Sequence, residues 1–313
     1  CAIGLTGAED TKLGYYNGPR VNNLGNSSVN PLPSYLYLFD STDQRRDVTI
    51  TPYFTALNGT RIGQAITNLT DGKYRRDWIT NPTVSPTNAV QYFGLKWQIL
   101  RYSDVLLMFA EAENEINGGP TTAAYNALNM VRRRGYGKPV GTADATVDIP
   151  AGLSKSDFFK AIVRERALEL GGEGIRKYDL IRWNLLGAAI TETRANMNRM
   201  AAVTAMVNPT YMAAYPSYCL TNNLPIRMYV INNTTSDNSN MSVNGGMYFN
   251  SLYKTAPTST PSGTTSTNWL TSAINAAGTN SPVGRYATGF VTGKGELLPI
   301  PQPARDANIN LTQ

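Results

Sequence analysis

The chain has 313 residues, a formal net charge of +6, two cysteines and no histidine. The missing histidine excludes a Ser–His–Asp triad, a Cys–His dyad and His-ligated metal, and two cysteines without a CxxC pair exclude a disulfide framework or a thiolate cage. Hydrophobic residues reach 42% and charged residues only 16%, enough for a real core, with Asn, Thr, Ser, Gly and Pro filling the rest as in a loop-rich extracellular protein.

Residues 1–94 are rich in Gly, Asn, Pro, Thr and Tyr and read as an irregular region with a few short strands. The strand-like runs are 34–39 (SYLYLF) and 47–54 (DVTITPYF). Asn58-Gly59 and Asp71-Gly72 tolerate positive φ and read as turns. Residues 95–200 carry helical spacing. In the first helix Tyr102, Val105, Phe109, Ala112 and Ile116 recur at three- and four-residue intervals and mark the expected core face. Gly118-Gly119 ends it, and Pro120 opens a second helix with Tyr125, Leu128 and Val131 on one face. The short connection makes an αα-hairpin, the unit of tetratricopeptide-type packing. After a loop over 135–153, Ser156 reads as the N-cap of a third helix, with Phe159, Ile162, Arg166 and Leu170 inward or at its boundary. Gly171-Gly172 breaks that helix, and a fourth is expected from about Ile175 through Tyr178, Ile181 and Leu185 to Met200. Residues 201–313 return to irregular structure, with polar loops at 234–244 and 255–268. Prolines at 299, 301 and 303 predict an extended tail without helix.

Basic residues do not gather into a nucleic-acid-binding stripe. Arg132-Arg133-Arg134 sits at a helix C-terminus, where the macrodipole favours cations. No run of about 18 apolar residues is present, so no transmembrane helix is expected. The first residues lack the basic and apolar regions of a signal peptide. Cys1 fits the acylated first residue of a mature bacterial lipoprotein, yet the CAIGLTG stretch is apolar and compact, unlike a tether.

Several motifs follow one another in order. Arg101, Tyr102, Ser103, Asp104, Leu106, Leu107, Ala110, Glu111 and Ala112 form the first, and Ala124, Leu128, Asn129, Val131, Arg132 and Arg134 the second. Ile162, Glu165, Arg166, Glu169, Leu170, Glu173, Gly174, Arg176, Asp179, Leu180, Arg182 and Trp183 form the third, and Leu297, Pro299, Ile300 and Pro301 the last. In this order they resemble the C-terminal half of the SusD/RagB family of outer-membrane nutrient-binding lipoproteins of Bacteroidetes. The resemblance covers roughly residues 35–313. It implies a mostly α fold of tetratricopeptide-type hairpins with extensive irregular loops and a few short strands, in one SusD-like domain assembled from 1–94, 95–200 and 201–313. It also implies non-catalytic binding of oligosaccharide at the outer face of the outer membrane, with delivery to a SusC-like TonB-dependent transporter. The RagB branch, which binds peptides, is the alternative. The family begins with an acylated cysteine and N-terminal helices that this sequence lacks, so the lipid anchor is assigned to that missing part.

Glu165 and Glu169 lie one helical turn apart, a spacing compatible with acid–base chemistry. Alternating acidic and basic residues at helical spacing are instead expected to pair within and between helices, so Glu165, Arg166, Glu169, Glu173, Arg176, Asp179 and Arg182 are read as structural, and no catalytic residue or cofactor is assigned. Arg101 and Asp104 are read as anchors of a helix start, and Trp97 and Trp183 as core. Trp78 and Trp269 lie in polar contexts, KYRRDWITNP and TSTNWLTS, where a tryptophan either caps the core or offers a flat platform to a sugar ring. With Tyr74 and Tyr53 they form the candidate ligand-binding set. Acidic loop residues Asp40 and Asp43 leave a loop metal open, although no metal ligand is assigned.

Overall fold

A computed structural model of the chain describes residues 12–21, 25–78, 95–236, 246–271, 274, 286–296 and 302–307. Cys1 and the motif at 297–301 lie outside them. The elements run α1 (Leu13–Tyr16), α2 (Pro33–Leu36), α3 (Arg45–Thr49), β1 (Ile50–Thr51), β2 (Tyr53–Thr55), β3 (Arg61–Gly63) and β4 (Thr70–Asp71). There follow α4 (Tyr102–Ile116), α5 (Thr122–Gly135), α6 (Lys155–Leu170), α7 (Arg176–Arg182) and α8 (Leu186–Ala201). The chain then returns to β5 (Arg227–Ile231), β6 (Thr264–Asn268) and α9 (Gln302–Ala307). Among the described residues the strands form three antiparallel pairs, β1–β4, β2–β3 and β5–β6. The Asn58-Gly59 turn joins β2 to β3 with Gly59 at φ 82°.

The long helices begin where side chains satisfy their free N–H groups. Thr121 accepts from the Ala124 amide at 3.1 Å to start α5, and Ser154 accepts from the Asp157 amide at 3.0 Å to start α6. Ser154 therefore caps α6 in place of Ser156. Asp157, three residues on, accepts from the Ser154 hydroxyl and locks that choice. The fourth predicted helix is two. Asn184 takes φ 55° between α7 and α8, a left-handed conformation that asparagine tolerates, and the Leu185 amide donates back to Leu180 at 2.7 Å. The 34–39 run is not a strand: Pro33 starts the short helix α2, with its fixed φ suited to a first turn. The 47–54 run is split between α3, β1 and β2. The tail carries α9 despite its prolines, since Pro303 sits in the first turn, where a missing N–H is harmless.

One cluster of buried residues draws on all three stretches of sequence. Leu36–Phe39, Ile50 and Tyr53 meet Val163 and Leu168 of α6, Met197 and Met200 of α8, and Met228, Tyr248 and Trp269 from the C-terminal third. A second cluster joins α4, α5 and α6 through Leu107, Leu128, Val131, Phe158 and Ile162.

The face of α4 that meets α5 and α6 is the opposite of the expected one. Asp104, Leu107, Ala110 and Asn114 point inward, while Tyr102, Val105, Phe109, Ala112 and Ile116 are exposed. The inner face holds two polar residues because both find partners: Asp104 accepts from Arg166 at 2.6 Å and Asn114 donates to the Lys155 carbonyl at 3.1 Å. Apolar spacing alone selected the wrong side. Leu107→Ala is therefore expected to destabilise the fold by about 2–5 kcal/mol, and Phe109→Ala by about 0.5 kcal/mol or less. Urea unfolding midpoints check this, and equal shifts would contradict the assignment of the inner face.

Candidate functional site

The charged residues of the third motif form a closed network on α6. Glu165 is 1% exposed. Its two oxygens accept from Arg45 at 2.6 Å and Arg132 at 2.9 Å. Glu169 accepts from Arg45 at 3.1 Å, from Arg101 at 2.5 Å and from Arg134. Glu173 accepts from Lys73 at 2.5 Å and Arg101 at 2.8 Å. Arg166 bridges Asp179 and Asp104 at 2.7 and 2.6 Å. Arg182 and Trp183 both donate to Glu111. Burial alone would raise the carboxyl pKa values. The guanidinium groups outweigh it, holding Glu165 below its usual range and bringing Glu169 down to about 2. A general acid needs the opposite shift. These carboxylates are mortar between helices, as their alternating pattern predicted. Asp43 grips Arg45 at 2.9 and 2.7 Å, and Asp40 accepts from Tyr136. No group of three or more metal-ligating side chains occurs among the described residues.

An open groove lies elsewhere, between the β2–β3 hairpin and the β5–β6 strand pair. It encloses about 650 Å³, lined by Asn58, Thr60, Arg61 and Ile62 on one side and Asn232, Asn233, Thr265, Ser266 and Thr267 on the other. Two features hold the strand pairs together. The Arg61 amide donates to the Thr234 carbonyl at 2.8 Å. Gly63 also lets β3 approach β5, since a Cβ there would lie 2.3 Å from Val230 Cγ2. Amides and hydroxyls of Asn58, Thr60, Asn232, Asn233, Thr265, Ser266 and Thr267 share the wall with the apolar Ala56, Ile62, Val230 and Ile231, a mixture suited to the hydroxyls and CH faces of a sugar.

Trp78 is 46% exposed. The Arg75 guanidinium lies 3.9 Å from its ring centroid and is held by Asp77 at 3.0 and 2.6 Å. Asp77 also pairs with Arg61 at 3.6 Å. The guanidinium groups of Arg61 and Arg75 sit 4.9 and 5.5 Å from the ring centroid of Tyr53, to whose hydroxyl Arg75 donates. An exposed indole is thus braced by a planar cation, with both tied to the groove wall.

The four candidate residues separate. Trp78 is at the surface, and Tyr53 is fully buried beneath Arg61 and Arg75. Tyr74 faces a different space, a charged cavity shared with Lys73, Arg101, Glu169 and Glu173. Burial first, and Glu173 next, push its phenol up to about 12. Trp269 is 1% exposed. Its indole N–H donates to the Tyr37 hydroxyl at 2.9 Å and its ring meets Tyr248 edge-on, so it is a core residue despite its polar flanks. Trp97, expected in the core, is 60% exposed. Its N–H bonds the Glu173 carbonyl at 3.2 Å and its ring lies over Gly174. Arg61, Asn232 and Thr265 were missed. The available signals were the Asn-Gly hairpin and the hydroxyl run 264–267.

The sequence matches the SusD family over residues 16–313, and the chain belongs to that family. It is 28% identical to a SusD homolog of Bacteroides thetaiotaomicron whose crystal structure superposes with a TM-score of 0.51, over 68% of this chain and 43% of that one. Two SusD-like proteins of Formosa agariphila are 43% identical over 88 residues and 32% identical over 104 residues. Those segments are 28% and 33% of this chain but 15% and 18% of the relatives. The matches thus span well under half the length of each relative. The helical hairpins, short strand pairs and long loops agree with the SusD-like fold that the motif order implied.

Proposed function

We propose that the protein containing this chain binds oligosaccharide at the cell surface without cleaving it and passes it to a SusC-like TonB-dependent transporter in the outer membrane. The surface location, the lipid anchor and the transporter rest on family membership. The observation that carries the binding role is Trp78, a half-exposed indole on an arginine brace that connects through Asp77 to Arg61 of the groove lining. Sugar rings present CH faces to an indole and hydroxyls to Asn, Thr and Arg. The saturated carboxylates of α6 support binding over hydrolysis, because carboxylate-pair hydrolysis needs two free groups about 5–10 Å apart.

Calorimetric titration with a panel of neutral oligosaccharides and uncharged oligopeptides tests this reading, with the mixture chromatographed afterwards. Saturable heat from at least one oligosaccharide, recovered intact, is the expected result. Heat from peptides alone would move the protein to the RagB type of binding. Shortened oligosaccharide products would overturn the non-catalytic role.

A further inference from the structure

A further space, half open to solvent, is bounded by the loop preceding α2, by β4 and by helices α6, α7 and α8. It holds about 280 Å³, roughly nine waters at about 30 Å³ each and close to the lower limit for a small-molecule site. Four phenols, those of Tyr35, Tyr211, Tyr215 and Tyr286, line it together with apolar side chains. Among the lining residues there is one acid, Asp71, and one base, Arg176.

Asp71 is 1% exposed. Its Oδ1 accepts from the Lys73 amide at 3.0 Å, whereas Oδ2 has no hydrogen-bond partner among the described residues. Gly172, at φ 79°, admits the carboxyl: a Cβ there would stand 2.9 Å from Oδ1. A buried carboxyl with an unused oxygen is costly, and its persistence calls for a partner. Burial raises its pKa to about 6. Arg176 commits one guanidinium nitrogen to the Val163 carbonyl at 2.9 Å. An acid and a base sharing so small a space leave no net charge for a ligand to neutralise. The walls offer aromatic faces, hydroxyls, one strong acceptor and one strong donor.

We infer that this cavity is a binding site for a single small neutral polyol, on the scale of one sugar ring, separate from the surface groove. The phenol rings pack against the CH face, Asp71 accepts from ring hydroxyls, and Arg176 donates to ring oxygens. Asp71 is the only carboxylate among the lining residues. Two-carboxylate hydrolysis therefore has no second group here, and the site retains its ligand unchanged.

The test is saturation-transfer NMR and thermal shift with neutral monosaccharides (glucose, galactose, mannose, xylose, fucose and arabinose), with glucuronate and glucosamine as charged controls. The expected result is single-site binding of at least one neutral sugar. That binding weakens tenfold or more in Asp71→Asn, disappears in Ala189→Leu, which fills the cavity from α8, and persists in Trp78→Ala. Persistence in Trp78→Ala separates this site from the groove, so either can fail without the other. Absence of neutral-sugar binding, preference for a charged sugar, or binding unaffected by the cavity substitutions would overturn the inference. If Ala189→Leu does not fold, Asp71→Asn, which keeps the side-chain shape, decides alone.

Discussion

Glu169→Ala is expected to be among the most destabilising substitutions in this protein, by about 3–5 kcal/mol. For a chain of this size that loss lowers the melting temperature by on the order of 10 °C. The carboxylate is fully buried at its side chain, and Arg45, Arg101 and Arg134 converge on it. Removing it leaves the buried Arg45 with Asp43 and Glu165 only, the partly buried Arg101 with Glu173 only, and an unfilled space at the centre of the network. An acid–base catalyst at this position would behave differently, losing turnover with stability kept or improved.

The same network has a pH signature. Glu169 has a folded pKa of about 2 against an ordinary 4.5. The folded state therefore holds fewer protons than the unfolded state between those values. Its contribution is complete above about 4.5 and is lost as pH falls towards 2, a loss of about 3 kcal/mol. Glu165 shifts in the same direction. Asp43 and Asp71 shift the opposite way through burial, Asp71 to about 6. Their burial weakens the fold at neutral pH, and for Asp71 that weakening is relieved as pH falls from about 6 towards 4. Urea titrations of wild type and Glu169→Gln from pH 7 to 3 isolate the Glu169 contribution. The stability gap should be widest above pH 5 and close on acidification; a gap constant across that range would contradict the network.

The second large effect is Trp269→Ala, expected to cost about 3–5 kcal/mol. The indole fills the main core between Tyr37 and Tyr248. The Tyr37 hydroxyl already donates to the Leu252 carbonyl, so losing the indole N–H leaves its acceptor side unmet in a buried site. Trp269→Phe should cost less, keeping most of the volume and losing the hydrogen bond. Calorimetric unfolding measures both. A Trp269→Ala protein as stable as wild type would return that residue to the surface.

These two effects show what a linear sequence discloses. Acid and base alternating at helical spacing over 165–182 announce pairing wherever the partners lie. The ion-pair frame was legible for that reason, as were the helical hairpins, whose Gly and Pro punctuation is local. Trp78 and Trp269 were not separable, because each has polar neighbours along the chain and the difference is tertiary. Trp269 is buried with Tyr37, 232 positions away, whereas Trp78 stays 46% exposed. The inward face of α4 was misread for a related reason. Asp104 and Asn114 look like surface residues until Arg166 and the start of α6 supply their partners. The groove was invisible because its two walls come from strand pairs about 170 residues apart, joined at Gly63 and Thr234.

The binding role rests on Trp78 and is tested most directly by titrating one oligosaccharide that binds wild type into Trp78→Ala. An affinity weaker by about 1–3 kcal/mol, roughly 5- to 150-fold, with an unchanged melting temperature, is the predicted result. Unchanged affinity in a folded Trp78→Ala protein would contradict it.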